Sequence, residues 1–124
     1  MAKKNQGGRP TKYDPKMCER IIEFGKEGMS KCEMAAELEI AYDTFDRWQN
    51  EIEEFSEAVK SAMRHSQAWW ERKGRQATFG GVDGFNATSY IFNMKNRFRD
   101  DWRDKQEIEQ TNFNVTIDGD DAEL

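Results

Sequence analysis

Apolar residues recur at helical intervals along most of this chain, and the breaks between the runs divide it into short and long helices. Met17, Cys18, Ile21 and Ile22 make a first stripe, opened by Asp14-Pro15 and ended near Gly25 and Gly28. A carboxylate just ahead of a helix accepts from its free amides, and proline in the first turn gives up no donor the helix needs. Ser30-Lys31-Cys32-Glu33 then has the pattern of a capping box, with Met29 placed to staple against Met34. That second helix is expected to reach about Leu38. A third, roughly Tyr42 to Asn50, puts Phe45 and Trp48 on one face.

Three helices this short and this close together indicate a helix-turn-helix. Met34, Leu38, Ile40, Phe45 and Trp48, with small Ala35 beneath the crossing, match the core spacing of such units. Glu39 stands where these units usually have glycine to reach a left-handed backbone, at a cost of about 1 kcal/mol. A plain three-helix bundle with no nucleic-acid role fits the same pattern.

From Glu54 to about Gln76 there is neither proline nor any other break until Gly74, and Phe55, Val59, Ala62, Trp69 and Trp70 recur at spacings of three, four and seven. Such a helix is too long for the small head to cover. Phe79-Gly80-Gly81-Val82-Asp83-Gly84 reads as a reversal, after which Asn86 caps another helix with Phe85 set to staple against Tyr90. Ala87, Tyr90, Ile91, Met94 and Phe98 line one face of it, so the two helices are expected to zip into an antiparallel hairpin whose leftover apolar surface needs another copy of the chain. Phe113 to Asp118 alternates apolar and polar residues, as a short strand supplied with partners by neighbouring chains would, or as a disordered tail can. The expected fold is all-α, divided into a flexible basic arm (1–13), a helix-turn-helix domain (14–53), a helical-hairpin oligomerisation domain (54–110) and an acidic C-terminal tail or strand (111–124).

Composition narrows the picture. The 124 residues suit one small domain or a mini-domain joined to a second helical unit, which makes a large enclosed active site improbable on size alone. Eight Phe, four Trp and three Tyr supply the bulk that a disordered chain lacks. Cys18 and Cys32 have no C-x-x-C spacing, the single His65 has no nucleophile or ligand pattern beside it, and Gly80-Gly81-x-x-Gly84 lacks the Lys-Ser/Thr of a phosphate loop. No catalytic residue, metal site or cofactor is therefore expected. Without a long apolar run or a leader pattern, the expectation is no membrane and a reducing cytoplasm.

The net charge of −5 is segregated. Residues 1–31 hold eight Lys/Arg against four Asp/Glu, residues 32–62 two against nine, residues 63–105 nine against five, and residues 106–124 six acids and no base. A basic arm, a basic central stretch and an acidic tail can face different partners. Arg64, Arg72, Lys73 and Arg75 on the long helix read as a solvated face, a channel lining or an outer wall.

The chain resembles the terminase small subunits, the DNA-packaging proteins of tailed bacteriophages. Three stretches carry the likeness: Gly8-Arg9-Pro10-Thr11-Lys12-Tyr13, the helix-turn-helix ending Phe45-Asp46-Arg47-Trp48, and Phe85-Asn86-Ala87 leading into Met94-Lys95-Asn96-Arg97-Phe98. The first two also occur in other small phage and transposon DNA-binding proteins; the third is the more distinctive. The resemblance implies a non-catalytic subunit in the host cytoplasm that forms a homo-oligomeric ring and recognises double-stranded viral DNA at the packaging start. It also implies that this subunit recruits and regulates the terminase large subunit, which holds the ATPase and nuclease.

On that reading Tyr42, Thr44 and Arg47 of the third helix face a major groove, while Asp43 and Asp46 oppose the phosphates. Lys3, Lys4, Arg9 and Lys12 of the arm, with Lys16 and Lys31 of the head, supply phosphate contacts. Phe55, Val59, Ala62, Trp69, Trp70, Tyr90, Ile91, Met94 and Phe98 are the expected oligomerisation residues. A helix-turn-helix transcription regulator or a transposon-encoded DNA-binding protein is the competing reading, because the motif reports a docking geometry and not a biological outcome.

Overall fold

The computed structural model describes residues 12–104, and every secondary-structure element among them is a helix. The sequence expectation of an all-α chain holds at that level. The strand or tail expected after residue 110 and most of the arm lie outside the described residues. The chain divides into two compact units, one ending at Asp83 and one beginning at Gly84.

The first unit contains α1 (Lys16–Gly25), α2 (Lys31–Glu37), α3 (Tyr42–Glu51) and α4 (Glu53–Thr78). Asp14 starts α1 as the sequence suggested: its Oδ1 accepts from the Lys16 amide at 2.9 Å and its carbonyl from Met17 at 2.8 Å. At α2 both halves of the capping box are present, with Glu33 N donating to Ser30 Oγ at 3.2 Å and Ser30 N to Glu33 Oε1 at 2.8 Å. Two orphan amides are thereby satisfied within four residues.

Three of the helices, α1, α2 and α4, end by one recurring device. Gly28 (φ 85°), Glu39 (φ 61°) and Gly80 (φ 83°) each take the left-handed conformation just past a helix. The residue after each returns a hydrogen bond to a carbonyl five residues back: Met29 to Phe24, Ile40 to Ala35 and Gly81 to Gln76. This Schellman closure satisfies orphan carbonyls, and glycine reaches it without a Cβ penalty. Glu39 reaches it with a side chain, so the turn between α2 and α3 keeps its shape without the usual residue.

The core of this unit forms from Met17 and Ile21 of α1, Met34, Ala35 and Leu38 around α2, Phe45 and Trp48 of α3, and Phe55, Ala58, Val59 and Ala62 of α4. Phe45 and Phe55 meet edge to face at 5.2 Å. The boundary expected at residue 53 is therefore not where the compact unit ends. α4 packs along α1 and against α3, and the 26-residue helix, about 39 Å long, is the floor of the head. Gly25 makes the close approach possible: a Cβ there would lie 2.1 Å from the Ala62 carbonyl oxygen.

The second unit contains α5 (Ala87–Arg97) and the single turn α6 (Arg99–Trp102). Asn86 caps α5, accepting from Ser89 N at 2.8 Å, and Phe85 lies 5.7 Å from Tyr90 as a staple should. Tyr90 also meets Trp102 edge to face at 6.0 Å, and Lys95 pairs with Asp104 at 3.0 Å. Met94 and Phe98 are buried.

Candidate nucleic-acid interface

Helix α3 presents Tyr42, Asp43, Asp46, Arg47 and Asn50 to solvent and turns Thr44, Phe45 and Trp48 inward. Thr44, expected to face a groove, is only 9% exposed. The correction has a simple cause: Thr44 precedes Trp48 by four residues, so both point the same way, and Trp48 belongs to the core. Tyr42 remains half exposed because its ring lies flat over Phe45, 6.2 Å away with the planes 7° apart. Arg47 is thus the one cation on the exposed face of α3, with Asp43 four residues and Asp46 one residue before it.

The other expected DNA contacts divide by location. Lys3, Lys4 and Arg9 fall outside the described residues. Lys12 and Lys16 are exposed near the start of α1, and Lys31 is half-buried in the first turn of α2. Sequence reasoning missed Tyr13, which fixes the root of the arm. Its ring packs edge-on against Trp48 (5.3 Å) and Phe55 (5.9 Å), while its hydroxyl donates to Glu54 Oε2 and lies 3.4 Å from Cys18 Sγ. Burial of the phenol first, and the hydrogen bonds with Cys18 and Glu54 next, push its pKa well above the ordinary tyrosine value. An aromatic just before a proline-opened helix was the available signal.

The expected oligomerisation residues also separate. Phe55, Val59 and Ala62 are buried inside the head and leave nothing for a second copy. Trp69 and Trp70 are half-buried over the turn that follows α1, where Trp70 Nε1 donates to the Gly28 carbonyl at 2.9 Å. Lys73 is exposed and stands over the Trp69 ring at 5.5 Å. In the second unit Met94 and Phe98 are buried, Tyr90 is half-buried and Ile91 is exposed. Two aromatics outside the expected set are uncovered: Phe92, 67% exposed, and Phe79 near the end of the first unit, 85% exposed.

Compared with protein-family models, with characterised proteins and with solved structures, the chain matches none. Among the described residues no group of three or more His, Cys, Asp or Glu side chains could hold a metal, and no helix is long and apolar enough to cross a membrane. The chemistry on offer is charge and shape: an exposed short helix with one arginine, exposed Lys12 and Lys16 on either side of the anchored Tyr13, and a set of uncovered aromatics.

Proposed function

We propose that this chain is a DNA-binding, non-catalytic subunit of a phage packaging machine, a terminase small subunit whose head is a helix-turn-helix. The observation that carries the reading is the α2–α3 turn. Two short helices are joined by residues 38–41, with Glu39 in the left-handed conformation that this motif requires of its turn and with Tyr42 and Arg47 exposed on the second helix. A left-handed residue other than glycine costs about 1 kcal/mol, so the geometry is held by its surroundings.

A single head of this kind binds weakly, because Asp43 and Asp46 precede Arg47 on α3 and repel the phosphates that supply most non-specific affinity. Several heads on one assembly offset the weakness through high effective concentration. Ile91 and Phe92 on α5 and, in the other unit, Phe79 after α4 are exposed apolar residues for self-association into a ring to cover. Pairing of α4 with α5 as a hairpin, recruitment of the ATPase-nuclease subunit and residence in the host cytoplasm belong to the same proposal.

Light scattering after size exclusion tests the assembly. A closed ring gives a mass well above that of a dimer, whereas a two-fold dimer matched to a palindromic site is the outcome for a transcription regulator. Anisotropy of a labelled duplex tests the head: Arg47→Gln should weaken binding severalfold, and a wild-type chain that ignores duplex DNA at low salt removes the reading altogether.

A further inference from the structure

We propose that the outer face of α4 is a second DNA-backbone surface, separate from α3, made by Arg64, Arg72 and Arg75. At 3.6 residues per turn these three side chains fall within about 80° of the helix circumference, on the side away from Phe55, Ala62 and Ser66. All three are exposed, and among the described residues none of them forms an ion pair. Small Ala68 stands between them, and Glu71, which accepts from Gln67 Nε2 at 2.9 Å, is the one acid between positions 64 and 75. It spans about 17 Å of helix, near half a turn of duplex.

Ordinary helix stabilisation accounts for Arg75, which has Glu71 four residues before it, but not for Arg64 and Arg72. The macrodipole favours cations in the last turn only, which covers Arg75 and neither of the others. Arg64 and Arg72 have no acid three or four positions away in either direction: their neighbours there are Lys60, Ser61, Gln67 and Ala68, and Ala68, Trp69, Arg75 and Gln76. Arg72 and Arg75 are themselves a like-charge pair at that spacing, which opposes the helix. Apart from Glu71, the acids are gathered at the other end, where Glu53, Glu54 and Glu57 occupy the first turns of α4 and Asp43 and Asp46 the face of α3. A partner bearing regularly spaced negative charge relieves the repulsion, and the phosphates of a duplex have that character.

The proposal rests on the reading of the chain as a DNA-binding protein and is separable from it. Binding of a labelled random-sequence duplex to the full chain is followed by anisotropy over a salt series for wild type, Arg47→Gln and the triple Arg64→Gln/Arg72→Gln/Arg75→Gln variant. Circular dichroism checks that the triple variant, freed of its like-charge pair, stays helical. The triple variant should lose at least tenfold in affinity near 100 mM salt, and its slope of log K against log salt should shrink by roughly two to three, about 0.9 for each lost phosphate contact. An unchanged slope overturns the proposal even if Arg47→Gln weakens binding, in which case α3 alone carries the DNA. Unchanged binding accompanied by crosslinks from the stripe to residues 106–124 overturns it too and gives the surface to the acidic segment. Absence of DNA binding by wild type overturns this proposal together with the one beneath it.

Discussion

The indole of Trp70 donates its Nε1 hydrogen to the carbonyl of Gly28, 2.9 Å away and 42 residues earlier in the chain. The bond ties the second half of α4 to the turn after α1, and the ring of Trp69 lies against the same glycine. Trp70→Phe keeps an aromatic ring but removes the donor and part of the bulk, leaving a carbonyl without its partner. Urea unfolding followed by circular dichroism should show a loss of about 1 kcal/mol with an unchanged m-value.

A larger loss is expected at the α1–α4 crossing. Gly25→Ala puts a methyl group 2.1 Å from the Ala62 carbonyl oxygen, and backbone on both sides must move. Overpacking of this kind costs about 3 kcal/mol, enough to lower the thermal midpoint by more than 10 °C in a unit of this size. If Gly25→Ala melts within 2 °C of wild type, the crossing is looser than described.

Glu39→Gly should act in the opposite direction. The left-handed residue after α2 carries a Cβ it would be better without, and glycine removes that penalty while adding some freedom to the unfolded chain. The net gain is about 0.5–1 kcal/mol, read as a higher urea midpoint. Lower stability would mean that the Glu39 side chain contributes more than its backbone costs.

Tyr13 gives a pH prediction. Its folded-state pKa is raised, chiefly by burial of the phenol and then by the hydrogen bonds with Cys18 and Glu54. The unfolded chain therefore releases this proton first as pH rises. The contribution is fully present below the unfolded value of about 10 and is lost progressively above it, toward the higher folded pKa. Melting between pH 9 and pH 11 should fall more steeply for wild type than for Tyr13→Phe. Parallel curves would remove Tyr13 from the account of alkaline stability.

What could be read from the sequence was what its own neighbours decide. Ser30 and Glu33, or Asn86 and Ser89, meet across three residues, so the caps were legible from spacing alone. The turn glutamate was legible for the same reason. Contacts across the chain were not: Gly25 against Ala62 and Gly28 against the paired indoles join positions about 40 apart, and nothing local marks them. That is why the sequence pattern sets α4 apart as a second domain although its Phe55, Val59 and Ala62 complete the head, and why it leaves Trp69 and Trp70 to core or subunit interface alike. Thr44 is a different case: its place four residues before Trp48 already puts it on the inner face, and a polar side chain there is no sign of a groove contact.

The pitch of α4 links two jobs that share no residue. The rotation that sends Phe55, Val59 and Ala62 inward also sets the bearing of Arg64, Arg72 and Arg75, so hydrophobic and charge patterns are geared to one another along the rod. Point substitutions on either side leave that gearing intact. A one-residue insertion after Ala62 would swing the arginines by about 100° and drag both indoles off Gly28 at once. The length of this helix, more than the chemistry of any position on it, should therefore be the property least tolerant of change.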